Sequence, residues 1–282
     1  MPTAAGLYYA HSEGGASNNK PVVLIHGAGS SHLCWPANLR RLSGRTVLAL
    51  DLPGHGRSAG IGLQSVEAYC AAIVAFLAEI GLYQAVFVGH SLGGAIALQL
   101  ALDFPQHTSG LGLISSGACM NVDADLLHYL SNASTFEVGL QFLQKHLFST
   151  TTASSLIKRS MSFLCGTRPS VLYNDWTACS KFDLSKIVAQ IDSPAYIACG
   201  LEDGLTPPSM SRFLAASLPN ARLDLLPDAG HMLIIEQPQA LAKGLASFLA
   251  DLDAYHEKIS LPLSIQKEEH ESRRLDGNQQ EV

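Results

Sequence analysis

Short apolar runs alternate with helical periodicities along most of this chain, and the runs have the length of buried strands. Such runs begin near Val22, Thr46, Ala85, Gly110, Ala195 and Arg222. Apolar residues at helical spacing predict helices over Trp35–Leu42, Gln64–Ile80, Leu92–Phe104, Pro207–Ser217 and Gln239–Leu252. Strands that alternate with helices form mostly parallel sheets covered on both faces, so the pattern predicts a doubly wound α/β fold.

The alternation stops between residues 121 and 183, where the pattern indicates several consecutive helices. Their large apolar side chains are Phe136, Phe142, Leu143, Met161, Phe163, Leu164 and Trp176. We therefore predict one α/β core, residues 1–120 and 184–255, with a helical insertion over residues 121–183. From residue 256 the apolar pattern is lost, and residues 256–282 are predicted to form a mobile polar tail.

One serine stands between two glycines in Gly89-His90-Ser91-Leu92-Gly93, directly after the apolar run Ala85–Val88. This pentapeptide connects a predicted strand to a predicted helix. A turn that sharp forces its middle residue into strained backbone angles and leaves little room for flanking side chains. The pentapeptide could arise by chance in a chain with 24 glycines, but its strand-turn-helix context favours a nucleophilic serine.

A serine hydroxyl needs a histidine to accept its proton and an acid to orient that histidine. The best candidate base is His231, in a glycine-containing loop directly after the strand-like run Ala221–Leu226. The best candidate acid is Asp203, in the loop that follows the predicted strand before that one. Glu202 adjoins it, and Asp123 is an alternative acid after an earlier strand, but the Gly-x-x-Asp spacing favours Asp203.

The chain order Ser91, Asp203, His231, with each residue on a loop after a strand, resembles the α/β-hydrolase superfamily. The resemblance extends upstream to Val22–Gly29, where a strand runs into a His-Gly turn similar to the oxyanion loop of these enzymes. It includes Asp51–Ser58, which looks like the loop after the next strand and which we interpret as scaffold. Because these matches occur in the right order, the chain is identified as a member of that superfamily.

The resemblance implies an oxyanion hole formed by the backbone N–H of Leu92 and that of Ala28, or alternatively of Gly29. Three further histidines of these loops lie away from the position of the superfamily's base: His26, His55 and His90. We expect them to be hydrogen-bonded parts of the loops. The insertion resembles the superfamily's helical cap, which would lie over Ser91, exclude water and select the substrate.

The same fold and triad serve several reactions, so the resemblance does not name a substrate. Serine at position 91 differs from the aspartate of dehalogenases and epoxide hydrolases, and His90 differs from the phenylalanine usual in perhydrolases. We therefore favour a serine carboxylesterase that cleaves small to medium uncharged esters through an acyl-enzyme. The alternatives are a lactonase, a hydrolase-fold small-molecule receptor, and a carbon–carbon bond hydrolase that uses the cations Arg159, Arg168 and Lys181.

The 282 residues are 47% hydrophobic and 15% charged, as in a globular enzyme, and the net charge of −6 offers no basic surface for nucleic acid. No basic and apolar leader begins the chain, and no run reaches the roughly 18 apolar residues of a membrane span. These features predict a cytoplasmic protein whose partner is a small-molecule ester. They leave its oligomeric state open.

Six cysteines occur without a Cys-x-x-Cys pair, and several lie within apolar runs, which predicts buried thiols. Cys34 follows the oxyanion loop closely and could face the pocket. His128 and His146 lie on predicted helices with no second ligand at metal spacing. We therefore predict no metal and no cofactor.

Overall fold

The structure is a computed structural model that describes residues 2–14 and 19–260. Within those ranges the strands are β1 Thr3–Ala4, β2 Leu7–Ser12, β3 Val22–Ile25, β4 Val47–Leu50, β5 Ala85–His90, β6 Thr108–Ile114, β7 Ala195–Gly200 and β8 Ala221–Leu226. They form one sheet in the order β1-β2-β4-β3-β5-β6-β7-β8. The pairs from β4 to β8 are parallel, and the two pairs that involve β2 are antiparallel. This arrangement confirms the predicted mostly parallel α/β fold.

Helices cover both faces of the sheet. In the described ranges they are α1 Ala37–Arg40, α2 Val66–Glu79, α3 Leu92–Asp103, α4 Ala124–Ser131, α5 Phe136–Leu147, α6 Ser154–Cys165, α7 Pro169–Lys181, α8 Pro208–Ser217, α9 Leu233–Glu236 and α10 Pro238–Ser260. Helices α2, α3 and α8 pack on one face, and α1, α9 and α10 pack on the other.

Strand β5 shows how the apolar runs build the two layers of the core. Side chains alternate between the faces of a strand, and a strand covered on both faces is therefore apolar throughout. Phe87 packs in one layer with Ile73 of α2, whereas Val88 packs in the other with Leu39 of α1 and Leu245 of α10. Since β5, β7 and β8 are parallel, the loops that follow them emerge at one edge of the sheet.

An amino-terminal hairpin, which the apolar pattern does not predict, extends the sheet by two strands. Ala5 and Gly6 join β1 to β2 with φ angles of 46° and 77°. Two successive positive φ angles are typical of the type I′ turns that close tight hairpins. Strand β2 is only partly buried, so its side chains carry a weak apolar signal.

Helix α1 is shorter than predicted. The region Trp35–Leu42 holds only the single turn Ala37–Arg40, preceded by a 3₁₀ turn at His32–Cys34. Pro36 separates the two because it has no N–H to continue the hydrogen-bond ladder of the first turn. The apolar spacing correctly predicts helical structure here, but Pro36 divides the segment into two short turns.

Helix α10 is longer than predicted and continues past Leu252 to Ser260. Polar contacts hold this extension: Arg45 forms an ion pair with Asp253, and His256 Nε2 lies 3.1 Å from the Ser109 carbonyl oxygen. Residues 256–260, the start of the predicted tail at 256–282, are therefore helical. Residues 261–282 lie outside the described residues.

Helices α4 to α7 follow one another between β6 and β7 and are called the insertion below. They have a small hydrophobic cluster of their own, which includes Leu126, Leu140 and Leu172. Trp176 packs against both this cluster and the main core, so the insertion is seated on the sheet domain.

No helix among residues 2–14 and 19–260 is long and apolar enough to cross a bilayer.

Candidate active site

Ser91 lies at the sharp turn between β5 and α3. Its φ and ψ angles are 55° and −118°, a conformation that non-glycine residues rarely adopt. Hydrogen bonds compensate the strain: the Ser91 N–H donates to the Ile114 carbonyl at 2.9 Å, and the Ser91 carbonyl accepts from the Gly94 N–H at 2.8 Å. The Ser116 hydroxyl donates to the same carbonyl at 3.0 Å. The turn therefore holds the Ser91 side chain at the edge of the sheet.

Close packing explains the two glycines of the pentapeptide. A Cβ atom at Gly89 would lie 2.0 Å from the Gly93 carbonyl oxygen, and one at Gly93 would lie 2.1 Å from the Ile25 carbonyl oxygen. Both obstacles are backbone atoms, so neither can move aside as a flexible side chain could. Gly89 is required because the first turn of α3 lies against it, and Gly93 is required because α3 begins against β3.

Gly93→Ala is expected to destabilise the fold by more than about 4 kcal/mol, because its methyl group would overlap backbone that the sheet holds in place. Gly166→Ala is the matched control. The Cβ it adds meets its nearest neighbours at 3.4 Å, an ordinary contact, so its effect should stay within about 1 kcal/mol. Thermal and urea unfolding of the two purified variants measure the difference, and equal stabilities would contradict the packing argument.

Ser91, His231 and Asp203 come together at the edge where their loops emerge. His231 Nε2 lies 2.9 Å from Ser91 Oγ. His231 Nδ1 lies 3.0 Å from each carboxylate oxygen of Asp203. All three residues are buried. A hydroxyl, an imidazole and a carboxylate in line can transfer the serine proton to the ring and stabilise the resulting charge.

The loop around Asp203 keeps its carboxylate ionised. Burial alone would raise the pKa of Asp203, but the nearby His231 and the hydrogen bonds from Thr206 outweigh it and hold the pKa below its usual value. The Thr206 N–H and hydroxyl each donate to this carboxylate at 2.8 Å. Ionised Asp203 can therefore accept the Nδ1–H of His231, which leaves Nε2 to face Ser91.

The two alternative acids have other contacts. Glu202 accepts hydrogen bonds from the Ser149 hydroxyl at 2.7 Å and from the Thr150 N–H at 2.8 Å, which ties the insertion to the Asp203 loop. Asp123 is exposed and caps α4 by accepting from the Asp125 N–H at 2.8 Å. Of the three candidate acids, only Asp203 is hydrogen-bonded to His231.

His26 and His90 are neutral supports of the loops, as predicted. Burial lowers the pKa of His26 to about 3, and its Nδ1 donates to the Gly27 carbonyl at 2.8 Å while Nε2 accepts from the Leu52 N–H at 3.0 Å. Burial and His231 lower the pKa of His90 to about 3. Its Nε2 donates to the His231 carbonyl at 2.8 Å, which fixes the backbone of His231.

The predicted scaffold loop Asp51–Ser58 is held by its own first residue. The buried Asp51 carboxylate accepts from the His32 N–H at 2.7 Å, from His32 Nδ1 at 2.8 Å and from the Arg57 N–H at 2.9 Å. His55 is part of this loop, and its Nδ1 donates to the Pro53 carbonyl at 3.1 Å. These contacts agree with the interpretation of the loop as scaffold.

The turn after β3, residues 26–29, contains the two candidate donors Ala28 and Gly29 and is called the oxyanion turn below; their backbone N–H groups have different contacts. The Gly29 N–H donates to Asp175 Oδ2 at 2.8 Å and is therefore occupied. The Ala28 N–H forms no hydrogen bond within the described residues. Leu92 is the first residue of α3, so its N–H has no acceptor inside the helix. Ala28 and Leu92 thus carry the available donors.

A cavity of about 790 Å³ opens onto Ser91 and His231. The insertion supplies much of its wall, including the apolar side chains Leu143, Leu147, Phe148, Leu156, Met161, Phe163, Leu164 and Trp176. Cys34 also lines it, as the sequence allowed, and burial raises the pKa of its thiol to about 12. A neutral thiol is a poor nucleophile, so the geometry gives Cys34 no catalytic role.

Family comparison agrees with this geometry: residues 22–243 match the model of the alpha/beta hydrolase family. The chain belongs to that family. It is 29% identical over 260 residues to the putative carbamate hydrolase RutD of Caulobacter sp. strain K31, covering 88% of this chain and 97% of the relative. It is 32% identical over 237 residues to a pimeloyl-acyl-carrier-protein methyl ester esterase of Neisseria meningitidis serogroup A, covering 79% and 74% of the two chains.

A solved structure of a hydrolase from Pseudomonas aeruginosa PA01 superimposes with a TM-score of 0.78 at 27% identity. The match covers 86% of this chain and 94% of that one. The family and these relatives identify the chain as a hydrolase. They do not by themselves assign its substrate.

Sequence reasoning missed one prominent residue of this hydrolase site. Asp175, on α7, is completely buried and contacts the oxyanion turn, although it lies 146 residues from Gly29 in sequence. The available signal is that Asp175 lies at helical spacing among the apolar residues Val171, Leu172, Ala178 and Cys179, because an acid on an apolar helix face is rare without a buried partner. Among the described residues, no group of three or more His, Cys, Asp or Glu is arranged to hold a metal ion.

Proposed function

We propose that this hydrolase is a serine carboxylesterase that cleaves small to medium uncharged esters through an acyl-enzyme. The observation that carries the proposal is the alignment of Ser91 Oγ, His231 and Asp203, with His231 Nε2 at 2.9 Å from the hydroxyl and Nδ1 at 3.0 Å from the carboxylate. This alignment opens into a largely apolar cavity.

In the first step Ser91 Oγ attacks the ester carbonyl carbon while His231 Nε2 accepts the hydroxyl proton. The Asp203 carboxylate holds the ring in position and stabilises the imidazolium. His231 then returns the proton to the leaving alcohol as the carbon–oxygen bond breaks. Water, activated by the same histidine, cleaves the acyl-enzyme and restores Ser91.

The N–H groups of Ala28 and Leu92 bind the carbonyl oxygen as it becomes negative. Loss of one comparable donor costs about 3 kcal/mol of transition-state stabilisation in other enzymes. The insertion acts as a cap over this centre. It reduces access of bulk water and forms the walls that select the acyl or alcohol group.

An uncharged substrate is supported by the apolar cap side chains, and an ester is supported by the name of the 32% identical relative, a methyl ester esterase. The carbamate named for the other relative would react at the same kind of carbonyl carbon. We favour the ester because it has the better leaving group and needs no protonation of nitrogen.

The carbon–carbon hydrolase alternative needs cations that face the substrate. Arg168 donates to the Gly54 and Gly60 carbonyls at 3.0 and 2.8 Å, so its guanidinium is engaged with the core. Lys181 donates to the Gln64 carbonyl at 3.3 Å and is not part of the cavity wall. Arg159 and Arg168 both line the cavity, but the Arg168 guanidinium is held by the Gly54 and Gly60 carbonyls, which weakens this alternative.

Purified protein should hydrolyse p-nitrophenyl esters from acetate upward, with an optimum at short or medium acyl chains and lower activity on palmitate, because apolar side chains of the insertion wall the cavity. Ser91→Ala serves as the blank for spontaneous hydrolysis. Turnover of δ-valerolactone alone would favour the lactonase, and turnover of a vinylogous diketo acid alone would favour the carbon–carbon hydrolase. Ligand binding without turnover of any of these would favour the receptor and overturn the proposal.

A further inference from the structure

The insertion holds the oxyanion turn through a single residue, Gly29. Its N–H donates to Asp175 Oδ2 of α7 at 2.8 Å, and its carbonyl accepts from the Thr167 hydroxyl at 2.7 Å. Gly29 has a φ of 64°, and a Cβ atom there would lie 2.5 Å from Leu172 and 2.7 Å from Leu164. Two hydrogen bonds and two packed side chains of the insertion thus fix this residue.

Asp175 is itself fixed from several directions. Its carboxylate is completely buried and accepts from His55 Nε2 at 2.8 Å and from the Tyr69 hydroxyl, besides the Gly29 N–H. His55 Nδ1 faces the Pro53 carbonyl, so both ring nitrogens face acceptors, as an imidazolium requires. A buried carboxylate paired in this way is an immobile anchor, because moving it would leave a buried charge without partners.

The direction of the Ala28 N–H is set by the orientation of two peptide planes, Gly27–Ala28, which contains this N–H, and Ala28–Gly29, which follows it. The Gly27–Ala28 peptide carries this N–H at one end, and the His26 ring holds its carbonyl at the other, at 2.8 Å. The next peptide, Ala28–Gly29, is held by its N–H on Asp175. Since each peptide is planar, these two contacts leave the Ala28 N–H a narrow range of directions.

We propose that Asp175 is a positioning residue for the oxyanion hole, so that the helical insertion aims the Ala28 N–H as well as covering the site. The inference rests on the proposed function, in which that N–H binds the negative oxygen of the tetrahedral intermediate. Asp175 touches neither the substrate nor Ser91. It acts through Gly29.

Asp175→Asn tests the idea with little change in size. The amide keeps one acceptor oxygen but loses the negative charge, so the hydrogen bond from the Gly29 N–H becomes a weaker neutral one, or is lost where the N–H₂ group turns toward Gly29. We expect kcat to fall about 10- to 100-fold while KM stays within about twofold, because a misaimed donor affects the transition state more than the bound substrate.

A second readout separates this role from a merely structural one. A trifluoromethyl ketone adds to Ser91 and forms a tetrahedral adduct with a negative oxygen, so its inhibition constant should weaken by the same factor as kcat. Binding of a non-reacting secondary alcohol of the same shape should change little. Parallel losses in the adduct and in kcat, with unchanged alcohol binding, are the expected result.

Asn174→Ala is the matched control. Asn174 neighbours Asp175 on α7 and also attaches the insertion to the core, since its Nδ2 donates to the Gly62 carbonyl at 2.8 Å and its Oδ1 accepts from Gln64 at 2.8 Å. It contacts neither the oxyanion turn nor the cavity wall. Its removal should lower thermal stability without weakening the ketone adduct.

Thr167→Val keeps the proposal testable if Asp175→Asn fails to fold, because it removes the 2.7 Å hydrogen bond to the Gly29 carbonyl and otherwise only a 3.5 Å contact with the Phe163 carbonyl. We expect a smaller loss of kcat in the same direction. If the variants that fold keep wild-type kcat and ketone affinity and lose only stability, the inference is wrong.

Failure of the proposed function would look different. Wild-type protein would then hydrolyse no carboxylic ester, and the variants would be compared by the rate at which paraoxon, a phosphate triester, phosphorylates Ser91 and releases p-nitrophenol, which uses the same oxyanion donors but no carboxylic ester. A wild-type rate in Asp175→Asn would overturn the inference in that case as well, and a matching loss would support it.

Discussion

Ser91→Ala is expected to lower kcat for any ester substrate by about 10⁴-fold or more, since the substitution removes the nucleophile and leaves only the oxyanion donors and the binding cavity. Ser91 Oγ makes its hydrogen bond to His231 and to no other described residue. The backbone bonds that hold the turn use the Ser91 N–H and carbonyl, which alanine keeps. Stability should therefore change by about 1 kcal/mol or less.

Two measurements check this result. A fluorophosphonate should add its mass to wild-type protein and fail to label Ser91→Ala, and p-nitrophenyl ester turnover should fall in parallel. Ser115→Ala is the matched control: Ser115 is buried, has a φ of 47°, and its hydroxyl has no hydrogen-bond partner among the described residues. It should keep activity and label. Equal turnover by wild type and Ser91→Ala would refute Ser91 as the nucleophile.

The features that could be predicted from the sequence are those encoded over short distances. Strand β5, the turn at Ser91 and the start of α3 occupy consecutive residues, so apolar runs and glycine positions specify them together. Asp203 and His231 could be proposed because each follows a strand at the same sheet edge. Their contact with each other and with Ser91 needs the assembled sheet.

The features that could not be predicted depend on partners distant in sequence. Asp175 contacts Gly29 and Tyr69 at separations of 146 and 106 residues, and nothing in the local pattern of α7 specifies either partner. The extension of α10 depends likewise on Arg45, which forms its ion pair with Asp253 across a separation of 208 residues. Periodicity reports which face is apolar, but it does not report which polar groups meet.

Asp203→Asn is expected to lower kcat by about 10⁴-fold, the effect of the corresponding change in another serine hydrolase. An asparagine amide can donate to His231 Nδ1, which would favour the tautomer with the proton on Nε2. That nitrogen could then no longer accept the Ser91 proton across the 2.9 Å contact. Substrate binding should change little, because the Asp203 carboxylate faces His231 and Thr206 and is not part of the cavity wall.

The pH dependence of stability gives an independent check. The pKa of Asp203 is held below its usual value by His231 and Thr206 despite the opposing effect of burial. A lowered pKa in the folded state stabilises the protein above the unfolded-state pKa, and this contribution is lost as the pH falls through the folded-state value. The difference in free energy of unfolding between wild type and Asp203→Asn should therefore be largest near neutral pH and shrink in acid.

Glu202→Gln and Asp123→Asn are the matched controls for the acid. Glu202 is hydrogen-bonded to Ser149 and Thr150, so its amide variant should loosen the insertion and reduce kcat by about tenfold at most. Asp123 caps α4, and its variant should leave kcat unchanged because asparagine caps helices as well as aspartate does. A nearly silent Asp203→Asn beside an inactive Glu202→Gln would transfer the acid role to Glu202, although that carboxylate would first have to release the insertion to reach His231.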